Sequence, residues 1–249
     1  MGNSSSKNSS VSPSPQGTTI STKRIFIIGV IDVQNDFCEG GALAVKDANS
    51  TIARINKLRF IYSNVMKTFI SQDYHPPNHM SFAKTHGKKE FSKEKLRIIM
   101  EDGITLEIEQ SMWPVHCVKE TFGAELHADL VATKKDIVVR KGTDRNVESY
   151  SAFGDEYRGK YENTLLNRKL KELSITDIVL TGIATDYCVY YTALDALRYG
   201  YMVHLILSCT RGVAEDTTEK ALNDMKSKGV LFYDTIDDFY DYYDKLTSI

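Results

Sequence analysis

Residues 25–37 have the sequence IFIIGVIDVQNDF, and this stretch decides the fold. Ile25 to Ile31 is an apolar, β-branched-rich run, which is typical of a strand buried on both faces. Asp32 follows directly, and Phe37 lies five residues beyond it. Ligands of open parallel sheets bind beyond the carboxyl ends of the strands. The stretch therefore predicts a central strand and one wall of a binding site.

Strands and helices alternate along the rest of the chain. The other predicted strands are 65–71, 136–140, 177–181, 202–207 and 230–233, and the predicted helices are 48–62, 121–132, 162–173, 186–199 and 214–228. Apolar strands separated by helices indicate a parallel sheet covered on both faces. We expect an α/β fold, with one three-layer domain over 23–249 around a six-stranded, mostly parallel sheet. A lysine-rich excursion at 84–112 interrupts the alternation.

The composition excludes several classes of protein. The 249 residues include 31 basic and 33 acidic side chains, so the net charge of −2 argues against a strongly basic nucleic-acid-binding protein. No apolar run reaches the roughly 18 residues that a membrane span needs. Four cysteines are too few for a disulfide framework. We therefore expect a reducing compartment and a cytoplasmic protein, with a nuclear pool as an alternative.

The first 22 residues differ from the rest. They are rich in Ser, Thr, Pro and Gly and contain no aromatic residue, so we expect a disordered tail over 1–22. The opening MGNSSS fits the N-myristoylation pattern, with Gly2 as the acceptor, although an ordinary Ser-rich tail also matches so loose a pattern. One acyl chain gives only marginal, reversible membrane binding, so at most a partial membrane pool is expected.

A carboxylate, an ammonium and a thiol follow three different predicted strands. They belong to Asp32, Lys141 and Cys188, and Cys188 enters a helix whose N-terminus favours a thiolate. Asp32 can take the thiol proton and return it to a leaving group, which suits acyl transfer. The backbone N–H groups of Ala184 and Cys188 are a candidate oxyanion hole. The alternatives are an inert buried thiol, a surface lysine and a turn-capping carboxylate.

Three further residues are candidate metal ligands. Asp73 and His75 are two residues apart in extended chain and therefore point to one side. With His116 they offer two imidazoles and a carboxylate, which suits Zn²⁺, Fe²⁺ or Mn²⁺. His79 is a fourth candidate ligand, or it contacts the ligands without binding the metal itself. Each histidine alone is more often structural, and the residues interpreted as ordinary are Cys38, Cys117, Cys209, His86, His127 and His204.

Three aromatic residues lie close in sequence to these candidates. Phe37 follows Asp32, Trp113 precedes His116, and Tyr150 follows Lys141. Flat aromatic walls suit a flat, heteroaromatic substrate. Ordinary core packing is the alternative for Phe37 and Tyr150.

Taken together, these segments resemble the nicotinamidases of the isochorismatase-like cysteine hydrolase family. The matching segments, in family order, are IDVQNDF (31–37), DYHPPNHMSF (73–82), WPVHC (113–117), RKGTD (140–144), YSAF (150–153) and GIATDYCV (182–189). The resemblance implies a catalytic triad of Asp32, Lys141 and Cys188. It also implies a metal, typically zinc, on Asp73, His75 and His116, with His79 close by. Phe37, Trp113 and Tyr150 would hold a pyridine ring, and the peptide bond before Ala184 would be cis.

The reaction implied by the resemblance is nicotinamide + H₂O → nicotinate + NH₃, which feeds NAD salvage. Two alternatives stay open: a related amidohydrolase that acts on another small amide, and a non-catalytic nicotinamide sensor or membrane-tethered interaction protein. The complete Asp-Lys-Cys set argues against the sensor, because a binding module needs no activated thiol. Relatives of this kind are often oligomeric, so a homo-oligomer is also expected.

Overall fold

A single parallel sheet organises the molecule. The computed structural model describes residues 23–99, 103, 105–154 and 164–248, so the expected tail over 1–22 and the start of the predicted helix 162–173 lie outside the described residues. The strands of this sheet are β1 (Phe26–Ile31), β2 (Lys67–Asp73), β5 (Ile137–Lys141), β6 (Asp177–Ile183), β7 (Met202–Arg211) and β8 (Leu231–Tyr233). They lie in the order β5-β2-β1-β6-β7-β8, and every pairing is parallel. The predicted six-stranded α/β architecture is confirmed.

Helices cover both faces of this sheet. Among the described residues, the helices that do so are α1 (Asn49–Ile61), α3 (Leu166–Glu172), α4 (Tyr190–Arg198), α5 (Glu215–Ser227) and α6 (Ile236–Thr247). The short α2 (Ala83–His86) lies in the connection after β2. Side chains alternate along a strand. Ile28 and Val30 of β1 accordingly belong to the core shared with α1 and α6, whereas Ile27 and Ile31 belong to the core shared with α3, α4 and α5. This alternation builds the predicted three layers. None of the helices in the described ranges is long and apolar enough to cross a membrane.

The predicted helix over 121–132 is wrong. Only Phe122–Ala124 forms a short 3₁₀ turn, and Phe122 is 74% exposed. Side chains of the loop after β1 bind the backbone of this segment. The Gln34 side chain donates to the Ala124 carbonyl, and the Asn35 side chain donates to the Phe122 carbonyl. A Cβ on Gly123 would lie 2.1 Å from the Asp36 carboxylate. The segment therefore packs tightly against the loop after β1, and its carbonyl groups are not available to a helix.

A hairpin and a C-terminal helix are among the elements that were not predicted. The excursion at 84–112 contains an antiparallel hairpin of β3 (Lys93–Ile99) and β4 (Thr105–Ser111), whose outer face pairs Lys93 with Glu109 and Lys95 with Glu107. α6 starts with a capping box, in which Thr235 and Asp238 satisfy each other's backbone N–H groups. The hairpin lies in the connection that follows β2. α6 packs on one face of the parallel sheet.

Candidate active site

Four neighbouring strands deliver the candidate residues to one edge of the sheet. Asp32 follows β1, Asp73 ends β2 and Lys141 ends β5. Cys188 lies in a π-helical turn, Thr185–Val189, that joins β6 to α4. Because β5, β2, β1 and β6 are adjacent and parallel, their carboxyl ends bring these side chains together.

The predicted triad is assembled around the Lys141 ammonium. Its Nζ lies 2.9 Å from Asp32 Oδ2 and 3.4 Å from Cys188 Sγ, and it also contacts the Asp73 carboxylate. The Ser149 carbonyl accepts a further hydrogen bond from Nζ at 3.1 Å. All these groups are buried. A thiol, a carboxylate and an ammonium thus share one water-poor site.

Burial controls the protonation of this cluster. It raises the pKa of the Cys188 thiol well above its usual value, and the nearby Lys141 ammonium opposes this only in part. Burial therefore favours the thiol form of Cys188, although the helix start and Lys141 favour the thiolate. Burial also raises the pKa of Asp32, although the Lys141 ammonium acts to lower it. Lys141 stays an ammonium because Asp32 and Asp73 outweigh its own burial and raise its pKa. The thiol accordingly needs a base when it attacks, and Asp32 is in place.

The predicted metal ligands also lie together. One ligand atom each of Asp73, His75 and His116 falls within 4.8 Å of the others. The Asp73 Oδ2 atom is 3.5 Å from His75 Nε2 and 3.8 Å from His116 Nε2. His75 Nδ1 is 2.8 Å from the Gly142 carbonyl, and His116 Nδ1 is 2.8 Å from the Pro114 carbonyl. Each Nδ1 therefore carries the proton, and each Nε2 presents a lone pair to the centre of the group.

This donor set fits a divalent metal. Among the described residues, the buried His75 Nε2 atom has no hydrogen-bond partner. Such an orphaned nitrogen is costly in a protein interior unless a ligand satisfies it. Burial lowers the pKa of His116 to about 4, so its imidazole is neutral at physiological pH, as metal binding requires. Burial acts to lower the pKa of His75, but the Asp73 carboxylate raises it, so a metal would bind there in place of a proton. Two imidazoles and one carboxylate leave open positions on a divalent ion.

His79 lies behind this group. Its ring stacks on that of His75 with 4.1 Å between centroids, and its two nitrogens contact Ser81 Oγ at 2.8 Å and the Val147 carbonyl at 3.0 Å. Both nitrogens are thus engaged, which favours the supporting role over that of a ligand.

Glu148 is a candidate site residue that the sequence reasoning missed. Its carboxylate is buried, and one oxygen lies within 4.8 Å of ligand atoms of His75 and His79. It lies in the loop after β5, where no spacing pattern marks it.

Phe37, Trp113 and Tyr150 belong to one packed cluster and form an aromatic wall. Trp113 Nε1 donates to Tyr150 Oη at 2.9 Å, and the Phe37 ring lies 5.5 Å from that of His116. Tyr187, also missed from the sequence, stands edge-on to Trp113 at 4.8 Å and 5.5 Å from Tyr150. Its position next to Cys188 was the available signal. The wall therefore contains one more aromatic ring than predicted.

The turn that carries the thiol has a distinctive backbone. The Ile183–Ala184 peptide bond is cis, as the resemblance implied. Gly182 has a φ of +107°, and a Cβ there would lie 2.1 Å from the Ile31 carbonyl oxygen. Only glycine therefore lets the end of β6 approach the end of β1 so closely. This approach sets the Ala184–Cys188 turn beside Asp32.

A parallel sheet with a buried carboxylate, ammonium and thiol at the carboxyl ends of its strands is typical of a cysteine-dependent hydrolase with an α/β fold. The isochorismatase domain model matches residues 26–237, so the chain belongs to the isochorismatase family. A nicotinamidase of Escherichia coli is 39% identical over 211 residues, covering 84% of this chain and 94% of the relative. A yeast nicotinamidase bound to the inhibitor nicotinaldehyde superposes with a TM-score of 0.79 at 30% identity, covering 85% of this chain and 100% of that one. A zinc complex of a Pyrococcus horikoshii pyrazinamidase gives a TM-score of 0.68 at 30% identity, with coverages of 84% and 98%.

Proposed function

We propose that this protein is a nicotinamidase, which hydrolyses nicotinamide to nicotinate and ammonia and so serves NAD salvage. The observation that carries the proposal is the placement of the Lys141 ammonium between Asp32, Asp73 and Cys188, next to a donor set that fits a metal. The nicotinamidases among the relatives support the same substrate.

The proposed first half-reaction uses Cys188 and Asp32. Sγ attacks the amide carbon while Asp32 accepts the thiol proton, so a C–S bond forms and the carbonyl π electrons move onto oxygen. The oxyanion is held by the backbone N–H groups of Ala184 and Cys188. As the C–N bond breaks, Asp32 returns the proton to the leaving nitrogen and ammonia departs. A thioester on Cys188 remains.

The second half-reaction consumes water. Asp32, again a carboxylate, takes a proton from a water molecule that attacks the thioester carbon. The C–S bond breaks, the carboxylic acid leaves and loses its proton to the solvent as nicotinate, and the thiolate of Cys188 recovers its proton from Asp32. Throughout, the Lys141 ammonium stays within reach of Asp32 and Cys188 and balances whichever of them is negative.

We propose that Asp73, His75 and His116 hold Zn²⁺, with Fe²⁺ and Mn²⁺ as the alternatives. When bound, the ion would supply a Lewis acid for the lone pair of the ring nitrogen and would thereby help to position the amide. The aromatic wall of Phe37, Trp113, Tyr150 and Tyr187 suits the flat face of the same ring. The zinc complex of the pyrazinamidase neighbour supports the choice of metal.

We also propose a reducing, cytoplasmic compartment. Its support is that all four cysteines, Cys38, Cys117, Cys188 and Cys209, are free and buried. A nucleophilic thiol is useful only where it stays reduced.

Ammonia release from nicotinamide by the purified protein tests the function. We expect release by the wild type and a loss of about 10⁴-fold or more in Cys188→Ala, because the nucleophile is absent. Cys209→Ala is the matched control, since Cys209 is equally buried but lies in the core on β7. Comparable turnover by Cys188→Ala and wild type would refute the role of the thiol. Turnover of another small amide with none of nicotinamide would favour the related amidohydrolase.

A further inference from the structure

The edge of the sheet opposite the candidate active site has a different surface. The chain segments that enter the strands there place four lysines in exposed positions: Lys23, Lys67, Lys134 and Lys135. Among the carboxylates at this edge, Asp136 and Asp177 are engaged in ion pairs, whereas Asp129 is exposed beside α1, where the Asn56 side chain donates to its backbone carbonyl. Asp136 is bound by Arg59 at 2.7 Å, and the fully buried Asp177 is bound by Arg24. The positive charges of the lysines therefore dominate the surface around β2 and β5.

Exposed apolar side chains accompany these lysines. Phe60, Ile61 and Val65 are 81%, 39% and 61% exposed at the end of α1 and in the turn before β2. Arg59 anchors this end of α1 to Asp136 and to the Val131 carbonyl. The apolar side chains consequently lie beside the segment that contains Lys134 and Lys135. Single exposed apolar residues are ordinary, but a group of them rimmed by charge marks an interaction site.

Two further acidic residues of this end, Asp241 and Asp244, lie to one side of the lysines. α6 ends at the same edge, because Tyr243 packs on Tyr62 with 5.1 Å between ring centroids. It brings the exposed Asp241 and Asp244 together with Lys245. The basic and apolar surface is thus confined to the part formed by α1, β2 and the segment before β5.

We propose that this surface docks on an anionic lipid bilayer. The docking patch consists of Phe60, Ile61, Val65, Lys67, Lys134 and Lys135. Its apolar side chains can enter the headgroup region while its lysines contact anionic headgroups, and each such lysine contributes about 1 kcal/mol at a negative membrane surface. The candidate active site then faces away from the membrane and stays open to solvent.

The bilayer fits this patch better than a second copy of the chain does. A two-fold symmetric contact over the patch would bring two groups of lysines into one interface, where like charges repel. An anionic membrane is instead complementary in charge. Lys23, where the chain leaves the preceding tail, lies at the same edge as the patch. An acyl chain on Gly2 would thus be the second of the two signals that stable membrane anchoring requires.

Co-sedimentation of the full chain with phosphatidylcholine vesicles, with and without phosphatidylserine, tests the docking patch. We expect binding only to the vesicles that contain phosphatidylserine, and its loss at high salt. Lys134→Ala/Lys135→Ala should lower the partition coefficient by about 30-fold, from about 1 kcal/mol for each lysine. Phe60→Ser/Val65→Ser should also weaken binding, whereas the control Lys84→Ala/Lys89→Ala, near the site edge, should bind as the wild type does.

Turnover of nicotinamide checks that the patch variants are folded, because the patch lies at the opposite edge from the thiol. Equal binding to both kinds of vesicle, or wild-type binding by both patch variants, would overturn the proposal. A patch variant that changes the oligomeric mass in solution but not the binding to vesicles would also overturn the proposal, since the surface would then be a contact between copies of the chain. For Gly2, mass spectrometry of the N-terminal peptide from a eukaryotic host should find an acyl group, and an unmodified Gly2 would contradict the tether.

Discussion

Two buried clusters of charge lie at opposite edges of the same sheet, and they are built differently. At the amino edge, Asp177 accepts hydrogen bonds from Arg24 Nε at 2.9 Å, His204 Nε2 at 2.7 Å and Thr176 Oγ1 at 2.6 Å. The other nitrogen of His204 contacts the hydroxyl of Tyr233 at 3.0 Å. At the carboxyl edge, one ammonium, Lys141, serves two carboxylates and a thiol, and His75 Nε2 has no hydrogen-bond partner among the described residues.

The difference shows why burial of charge alone does not identify a site. The cluster around Asp177 is closed, because its groups are partnered within the protein, and a closed network holds a fold together. The cluster around Lys141 leaves a ligand nitrogen without a partner and places a carboxylate beside a protonated thiol. An unsatisfied buried group is tolerated where a substrate or an ion completes it. We therefore assign catalysis to the carboxyl edge and stability to the amino edge.

The matched substitutions Asp32→Asn and Asp177→Asn should separate the two clusters. Asp32→Asn removes the proposed base but keeps the shape of the side chain. We expect kcat to fall by about 10³-fold, which is within the range for general base catalysis. The free energy of unfolding should stay the same or rise, because one of two carboxylates that share Lys141 is neutralised. Steady-state kinetics and urea unfolding of one preparation check both, and full activity in this variant would remove Asp32 from the mechanism.

Metal removal should have the next largest effect on activity. After chelation we expect kcat/KM to fall by about 10²-fold, mainly through substrate positioning, and to recover when Zn²⁺ is restored. His116→Ala should lose the bound metal as measured by elemental analysis, whereas His127→Ala, away from the site, should keep it. A chelated sample with full activity would show that the ion does not position the substrate.

Asp177→Asn should have the smallest effect on activity and a large one on stability. We expect unchanged kcat/KM and a loss of about 3 kcal/mol in the free energy of unfolding, because Arg24 and His204 lose a buried partner. Burial raises the pKa of Asp177, but hydrogen bonds from His204 and Arg24 outweigh it and hold the pKa below its usual value. The stability that this carboxylate contributes is therefore complete above about pH 4 and is lost as the pH falls through the lower folded value. Urea unfolding across this pH range should show the difference between wild type and variant shrink at low pH, and a constant difference would contradict the account.

Much of the molecule is predictable from sequence where local pattern and tertiary packing agree. The strands of the central sheet are recognisable as apolar runs in the sequence. The alternation of strands and helices then places Asp32, Lys141 and Cys188 at one edge of a parallel sheet. The helix predicted over 121–132 failed because its apolar spacing is helical, whereas Gln34 and Asn35 bind its backbone from another part of the chain. No local pattern reports such a contact.

The unpredicted parts of the site have the same origin. Glu148 reaches the histidines only through the path of the loop after β5, which the sequence does not specify. The helix start, which favours the thiolate of Cys188, is visible in the sequence, whereas the depth of its burial is not. Burial outweighs the nearby ammonium and raises the pKa of the thiol. The tertiary environment, rather than the residue type, decides both the position of Glu148 and the protonation of Cys188.

Mass spectrometry of enzyme quenched during turnover of nicotinamide tests most directly the claim that the open cluster performs covalent chemistry. We expect a nicotinoyl group on the peptide that contains Cys188 and none on the peptides that contain Cys117 and Cys209. Asp32→Asn should form this adduct much more slowly. Ammonia release at the wild-type rate with no acyl group on Cys188, or with the group on another cysteine, would contradict the account.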